Sequence, residues 1–244
     1  MKKLPFIILL ILCQLATFSQ PLVINHHHTK IELIPQSAIE AAKAQLHIAY
    51  GHTSHGSQLT EGMTGLVDFM NNNGYPLNLY DWSSYAPTTA LHLHDYAMNG
   101  DVGYYPDWVN NTRAYLGLPN PFTGRGSGIH ENVNVIIWSW CGQIGGKYAA
   151  GTLDSEYFTP MQQLETDYPG IKFVYMTGHL DHADDAMNKA ANQAVRDFCL
   201  NNDKVLYDFA DIESYNPDQV YFQYANDDCC YYDPFGNYLG NWAL

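Results

Sequence analysis

The amino-acid sequence predicts an α/β fold, a three-layer α/β/α sandwich built on a parallel sheet. Three observations lead there. Short apolar runs of strand length alternate with runs of helical period, the pattern of a sheet covered by helices on both faces. Every predicted strand ends in polar or glycine-bearing residues at its carboxyl end, the rim on which open α/β sheets bind ligands. The 244 residues suffice for one sizeable domain, and no internal repeat or low-complexity linker divides them.

Taken in order, residues 20–34 are expected to be an irregular leader, and its His26-His27-His28 run a flexible polar stretch. A single domain then covers 35–244. A first helix is predicted over 35–45 and a strand over 47–50. The turn Gly51-His52-Thr53-Ser54-His55-Gly56 follows and opens a second helix. In that helix Leu59, Met63, Leu66, Val67 and Met70 recur at three- and four-residue steps, one buried face. Asn71-Asn72-Asn73-Gly74 ends it, and 77–80 is predicted as the next strand. Residues 81–130 are aromatic and turn-rich, with a helix at Asp107–Leu116. A loop region of that length on a compact domain is usually functional, so it is expected to be an insertion over a site. Regularity returns with a buried strand over 133–140 and a helix over 157–168, stopped by Pro169-Gly170. A strand over 171–177, a helix over Asp185–Asn201 and a strand over 204–210 complete the pattern.

The first nineteen residues carry two lysines, an apolar run and then small and polar residues, the form of a secretory signal peptide cut before Gln20. The run is short for a membrane span, so a secreted or periplasmic protein is expected, not a lipoprotein. Losing those two lysines takes the formal charge from −14 to −16. Such a surface repels nucleic acid and anionic lipid, so neither is expected as a partner. Four cysteines remain in the mature chain. Cys199 falls on the apolar face of its helix, Cys141 ends a strand, and Cys229 and Cys230 are adjacent in a polar loop; spacing does not fix a pairing.

The chemistry-bearing residues cluster at four strand ends: His52, Ser54 and His55 after the first, Cys141 and Gln143 after the third, His179, Asp181 and His182 after the fourth, and Asp208 with Asp211 and Glu213 after the last. In a parallel sheet these ends share one rim. Ser54, beside imidazoles and a helix N-terminus, is a candidate nucleophile, or else a helix cap. His92 and His94 alternate in Leu-His-Leu-His-Asp, where they line the pocket or stand on the loop surface. The histidines and aspartates match no recognised zinc spacing, so neither metal nor cofactor is expected.

With these residues in view, the chain resembles the SGNH/GDSL hydrolase superfamily, in a divergent exported branch, over roughly residues 44–215. The resemblance implies a flavodoxin-like, SGNH-type sheet and an ester hydrolase. It places the nucleophile at Ser54, where Thr53-Ser54 stands for the usual Asp-Ser. It places an oxyanion amide at Gly100, within Asn99-Gly100-Asp101-Val102-Gly103. The usual asparagine of the third block is absent from Ser139-Trp140-Cys141-Gly142, so Gln143 is the substitute donor. The usual Asp-x-x-His block is also absent. His179 and His182 are therefore the candidate bases, with Asp181 or Asp208 as orienters and His52 and His55 flanking the serine.

The expected substrate is an acylated small molecule or polysaccharide, because Trp82, Tyr85, Tyr96, Tyr104, Tyr105 and Trp108 suit stacking on sugar rings, although they equally suit packing of the insertion. Two alternatives stand beside it: a carbohydrate-binding protein without catalysis, and a lyase or glycosidase using Asp181, Asp208, Asp211 and Glu213 as carboxylate pairs.

Overall fold

The computed structural model describes residues 20–85, 88–182 and 185–244. The expected export signal over 1–19 lies outside the described residues. The apolar runs pair, all in parallel, into one seven-stranded sheet. It comprises β1 (Leu22–Ile24), β2 (His47–Gly51), β3 (Trp82–Ser83), β4 (Leu91–His94), β5 (Val135–Trp138), β6 (Lys172–Met176) and β7 (Val205–Tyr207), in the order β1-β7-β6-β5-β2-β4-β3. Its inner five strands reproduce the flavodoxin-like order. After β2 the chain builds β3 and β4 on one side, then returns to build β5, β6 and β7 on the other. The crevice between the carboxyl ends of β2 and β5 is thus the point where the winding reverses.

The pleat sorts side chains to two faces. Ala49, Ile136, Trp138, Phe173, Tyr175 and Leu206 meet one layer of helices: α3 (Asp107–Leu116), α4 (Ile144–Ala149), α5 (Thr159–Asp167) and α6 (Asp185–Asn201). Trp108, Leu116, Met161, Val195 and Cys199 are all fully buried in this layer. The other face carries α2 (Ser57–Asn72), whose Leu59 and Met63 border an apolar cleft of about 250 Å³ over Ile48, Tyr50, Ile137, Val174 and Tyr207. Helix α1 (Gln36–Gln45) packs by β4. Beyond β7 come α7 (Phe209–Glu213) and a hairpin of β8 (Cys230–Tyr232) and β9 (Tyr238–Asn241).

Three expectations are corrected. Residues 20–34 are not wholly irregular, since Leu22–Ile24 pairs with Val205–Tyr207 as an edge strand. Residues 77–80 form turns rather than a strand, because Asn78 takes a left-handed φ of +59° and Leu79 N–H closes on the Pro76 carbonyl at 3.1 Å. Residues 81–130 are not a mere insertion, since they supply β3 and β4 of the central sheet besides the expected helix α3. The cysteines at 141, 199, 229 and 230 are all free thiols. Among the described residues no helix is long and apolar enough to cross a membrane.

Candidate active site

The site begins at Gly51, the last residue of β2. A side chain there would meet the Trp138 ring at 2.4 Å, so only glycine lets β2 lie against β5 at this level. The chain then turns sharply and presents four side chains in different directions. His52 points inward, buried, between the rings of Tyr50 and Tyr96. Its Nε2 donates to Asp95 at 2.7 Å and its Nδ1 lies 2.9 Å from the Thr53 carbonyl. Both ring nitrogens are thus engaged by neighbouring protein oxygens. Thr53 Oγ1 donates to Asp101 at 2.8 Å. Ser54 is exposed, and its Oγ lies 3.3 Å from the Cys141 Sγ across the crevice. His55 turns beneath it.

Cys141 connects the two sides of the switch point. Its Sγ lies 3.2 Å from His55 Nδ1. Burial alone would push this thiol up, but hydrogen bonds from Ser54, His55 and Thr53 outweigh it and hold the thiol below its ordinary value. Its backbone N–H donates to Gln143 Oε1 at 2.9 Å, while Gln143 Nε2 reaches Asp101 at 3.4 Å. Gln143 therefore ties the Cys141 loop to the Thr53–Asp101 pair, and a side chain at Gly103 would collide with it. This is a bracing position, a departure from the oxyanion role expected of Gln143.

From β6 comes His179, buried and stacked on His55 with ring centroids 3.9 Å apart and planes 8° from parallel. Its Nδ1 donates to the Leu180 carbonyl at 2.7 Å, which leaves a lone pair on Nε2. That Nε2 is buried and unbonded among the described residues. Burial, first, then the neighbouring His55, lowers the affinity of His179 for a second proton. Asp227 closes the cluster, 3.3 Å from His55 Nε2 and 3.7 Å from His179 Nδ1. It belongs to the tail segment between α7 and β8, and Gln58 of α2 donates to its carbonyl at 3.3 Å. Behind the cluster Glu213 accepts from Leu180 N–H at 2.7 Å, and burial pushes its carboxyl up to about 8.

The structure thus brings together Ser54, Cys141, His55 and His179, and adds Asp227, which the sequence reading did not single out. It separates others. Asp208 is held by both arms of the Arg196 guanidinium at 2.6 and 2.8 Å and caps α7, a structural role. His182 turns to the hairpin and stacks on Tyr232 at 3.9 Å. Asp181 is partly exposed beside it. Gly100 takes the φ of +83° that favours glycine, next to Asp101, whose carboxylate holds Thr53 and the Gly103 amide. Of the carboxylates considered for glycosidase chemistry, Asp208 is bound to Arg196, Asp211 to His26 and Glu213 to a backbone amide. Trp108 is core, packed on Trp138 and Tyr157, whereas Tyr85, Tyr96, Tyr104 and Tyr105 are exposed.

The ligand atoms of His55, His179 and Asp227 all lie within 4.8 Å of one another, so these three could hold a borderline cation. No family model, curated protein or solved structure matches this chain.

Proposed function

We propose that the protein is an exported ester hydrolase acting on an acylated carbohydrate, with Ser54 as nucleophile. One observation carries the reading: the continuous contact path Ser54 Oγ, Cys141 Sγ, His55 and Asp227 over the switch point, with separations of 3.3, 3.2 and 3.3 Å. In that path Ser54 attacks the acyl carbon while its proton passes to Cys141 Sγ and the thiol proton to His55 Nδ1. Asp227 accepts from Nε2 and steadies the imidazolium, the orienting role of a triad carboxylate. Return of the proton releases the alcohol, and water then hydrolyses the acyl-enzyme. Exposed Tyr96, stacked against His52, and Tyr104 and Tyr105 nearby in sequence supply faces for a sugar ring. The SGNH-like sequence pattern supports the same assignment of Ser54.

A second reading has its own observation. Cys141, not Ser54, is in direct contact with an imidazole, and its thiol is held below its ordinary value. A Cys141–His55–Asp227 triad would run the same acyl transfer through a thioester. Hydrolysis of p-nitrophenyl acetate and acetylated xylan by the Ser54→Ala and Cys141→Ala variants separates the two. Loss of at least a hundredfold in Ser54→Ala with milder loss in Cys141→Ala supports the serine. The reverse assigns the thiol, and wild-type rates in both overturn the hydrolase reading.

A further inference from the structure

A second group of imidazoles lies outside the site. His47 opens β2, and its register partner on β4 is His92, so the two side chains leave the sheet on the same face. His94, two residues further along β4, shares that face. His130, from the loop before β5, approaches from above. All four line one cavity of about 330 Å³. The sequence shows two of them as an alternating pair; pairing of β2 with β4 is what adds His47.

The geometry within the cavity is that of a chelating pair. His47 Nδ1 and His92 Nδ1 are 3.0 Å apart, and at most one of them can carry the proton between them. Two imidazole nitrogens on one tetrahedral ion, each about 2.0–2.1 Å from it, stand only slightly farther apart than this. The His94 ring is held through Nδ1 by the Tyr115 hydroxyl at 2.7 Å, and His130 stacks flat on Tyr115 at 3.8 Å. The His94 and His130 rings are 5.7 Å apart and face the same space. No carboxylate lines the cavity; its polar lining is the four histidines with Ser84, Tyr85 and Asn132, and paired imidazole nitrogens suit a borderline ion better than Mg²⁺ or Ca²⁺.

We propose that this cavity binds a borderline divalent metal ion of the Zn²⁺ class, with His47 and His92 as its protein ligands. Such an ion would pin β4 to β2, at the end of the sheet away from the strand ends that carry Ser54. The assignment is independent of the esterase reading.

The test is calorimetric titration of ZnCl₂ into protein carrying His27→Gln and His28→Gln, which removes the exposed histidine run. Adding His47→Gln and His92→Gln should lower the Zn²⁺ stoichiometry by one, or weaken one site by at least tenfold, while MgCl₂ gives no binding in either protein. A parallel titration followed by ring ¹⁵N NMR, which needs no substitution at the cavity, should move the His47 and His92 signals first. Equal Zn²⁺ stoichiometry and affinity in the two proteins, or unmoved His47 and His92 signals, would overturn the proposal.

Discussion

His55 and His179 lie ring on ring, 3.9 Å between centroids and 8° from parallel, although one follows β2 and the other β6. The two imidazoles are nevertheless set differently. His55 spans from a thiol to a carboxylate, and His179 is fixed at Nδ1 by a carbonyl with Nε2 left open. Of the two, only His55 contacts the Cys141 thiol, and that contact bears on reactivity that can be measured directly.

Cys141 is expected to be the first thiol alkylated by iodoacetamide at pH 7. Cys199 is buried and pushed up to about 12, and burial also raises Cys229. At a pH below both pKa values, each unit of thiol pKa is a tenfold change in thiolate. His55→Ala, which removes one of the bonds that hold this thiol down, should therefore slow Cys141 alkylation. Peptide mass mapping over time checks both points, and earlier labelling of any other cysteine would contradict this view of the site.

How much of this could be read from the chain follows physical lines. Helices α3 and α6 have the predicted limits because each repeats its apolar period over ten or more residues. β1 and β3, of three and two residues, are too short to carry a pattern and exist only through pairing at the sheet edges. The rim itself was legible, since Ser54, His55, Cys141 and His179 all follow strands of a parallel sheet. Asp227 was not: it arrives from a polar tail with no periodicity, and only the fold carries it to His55. Nor could the sequence distinguish Asp208 from the rim residues, because its partner Arg196 lies on the buried side of a helix whose docking depends on the whole sheet.

Asp208→Ala should lower stability without altering chemistry. The pair it forms with Arg196 is largely buried, with Asp208 side-chain exposure of 5%. Removing one partner leaves the guanidinium unpaired and costs about 3 kcal/mol. The expected result is a clear fall in Tm with kcat for ester hydrolysis within about twofold of wild type, since a twofold change is under 0.5 kcal/mol in barrier. A large fall in kcat at an unchanged Tm would return Asp208 to the site.

Gly56→Ala tests the packing beneath the turn that carries Ser54. Gly56 has an ordinary helical φ of −64°, so no backbone strain is involved. A methyl there would stand 2.3 Å from His52 Cβ and 2.5 Å from Ser139 Oγ, both parts of rigid, buried residues. Overpacking of this kind costs about 1–3 kcal/mol. Because the displaced turn carries Ser54, activity should fall together with Tm. Gly62→Ala, on the open side of the following helix α2, meets nothing within 4 Å and should leave activity unchanged.

Glu213 sets the pH dependence of stability near the site. Burial pushes its carboxyl from the ordinary 4.5 up to about 8, with Asp227 acting in the same direction and the Leu180 amide opposing. Below pH 4.5 the folded and unfolded chains both hold this proton, and its contribution to stability is fully present. Between 4.5 and 8 the unfolded chain releases a proton that the folded state retains, so stability falls by up to about 1.4 kcal/mol per pH unit. Above 8 both states are ionised and the loss is complete. Glu213→Gln keeps an acceptor for the Leu180 N–H but has no proton to lose. Its Tm should exceed that of wild type at pH 8–9 and converge with it near pH 5. Melting curves recorded across that range decide the matter, and parallel Tm profiles for the two proteins would show that the Glu213 carboxyl is not desolvated.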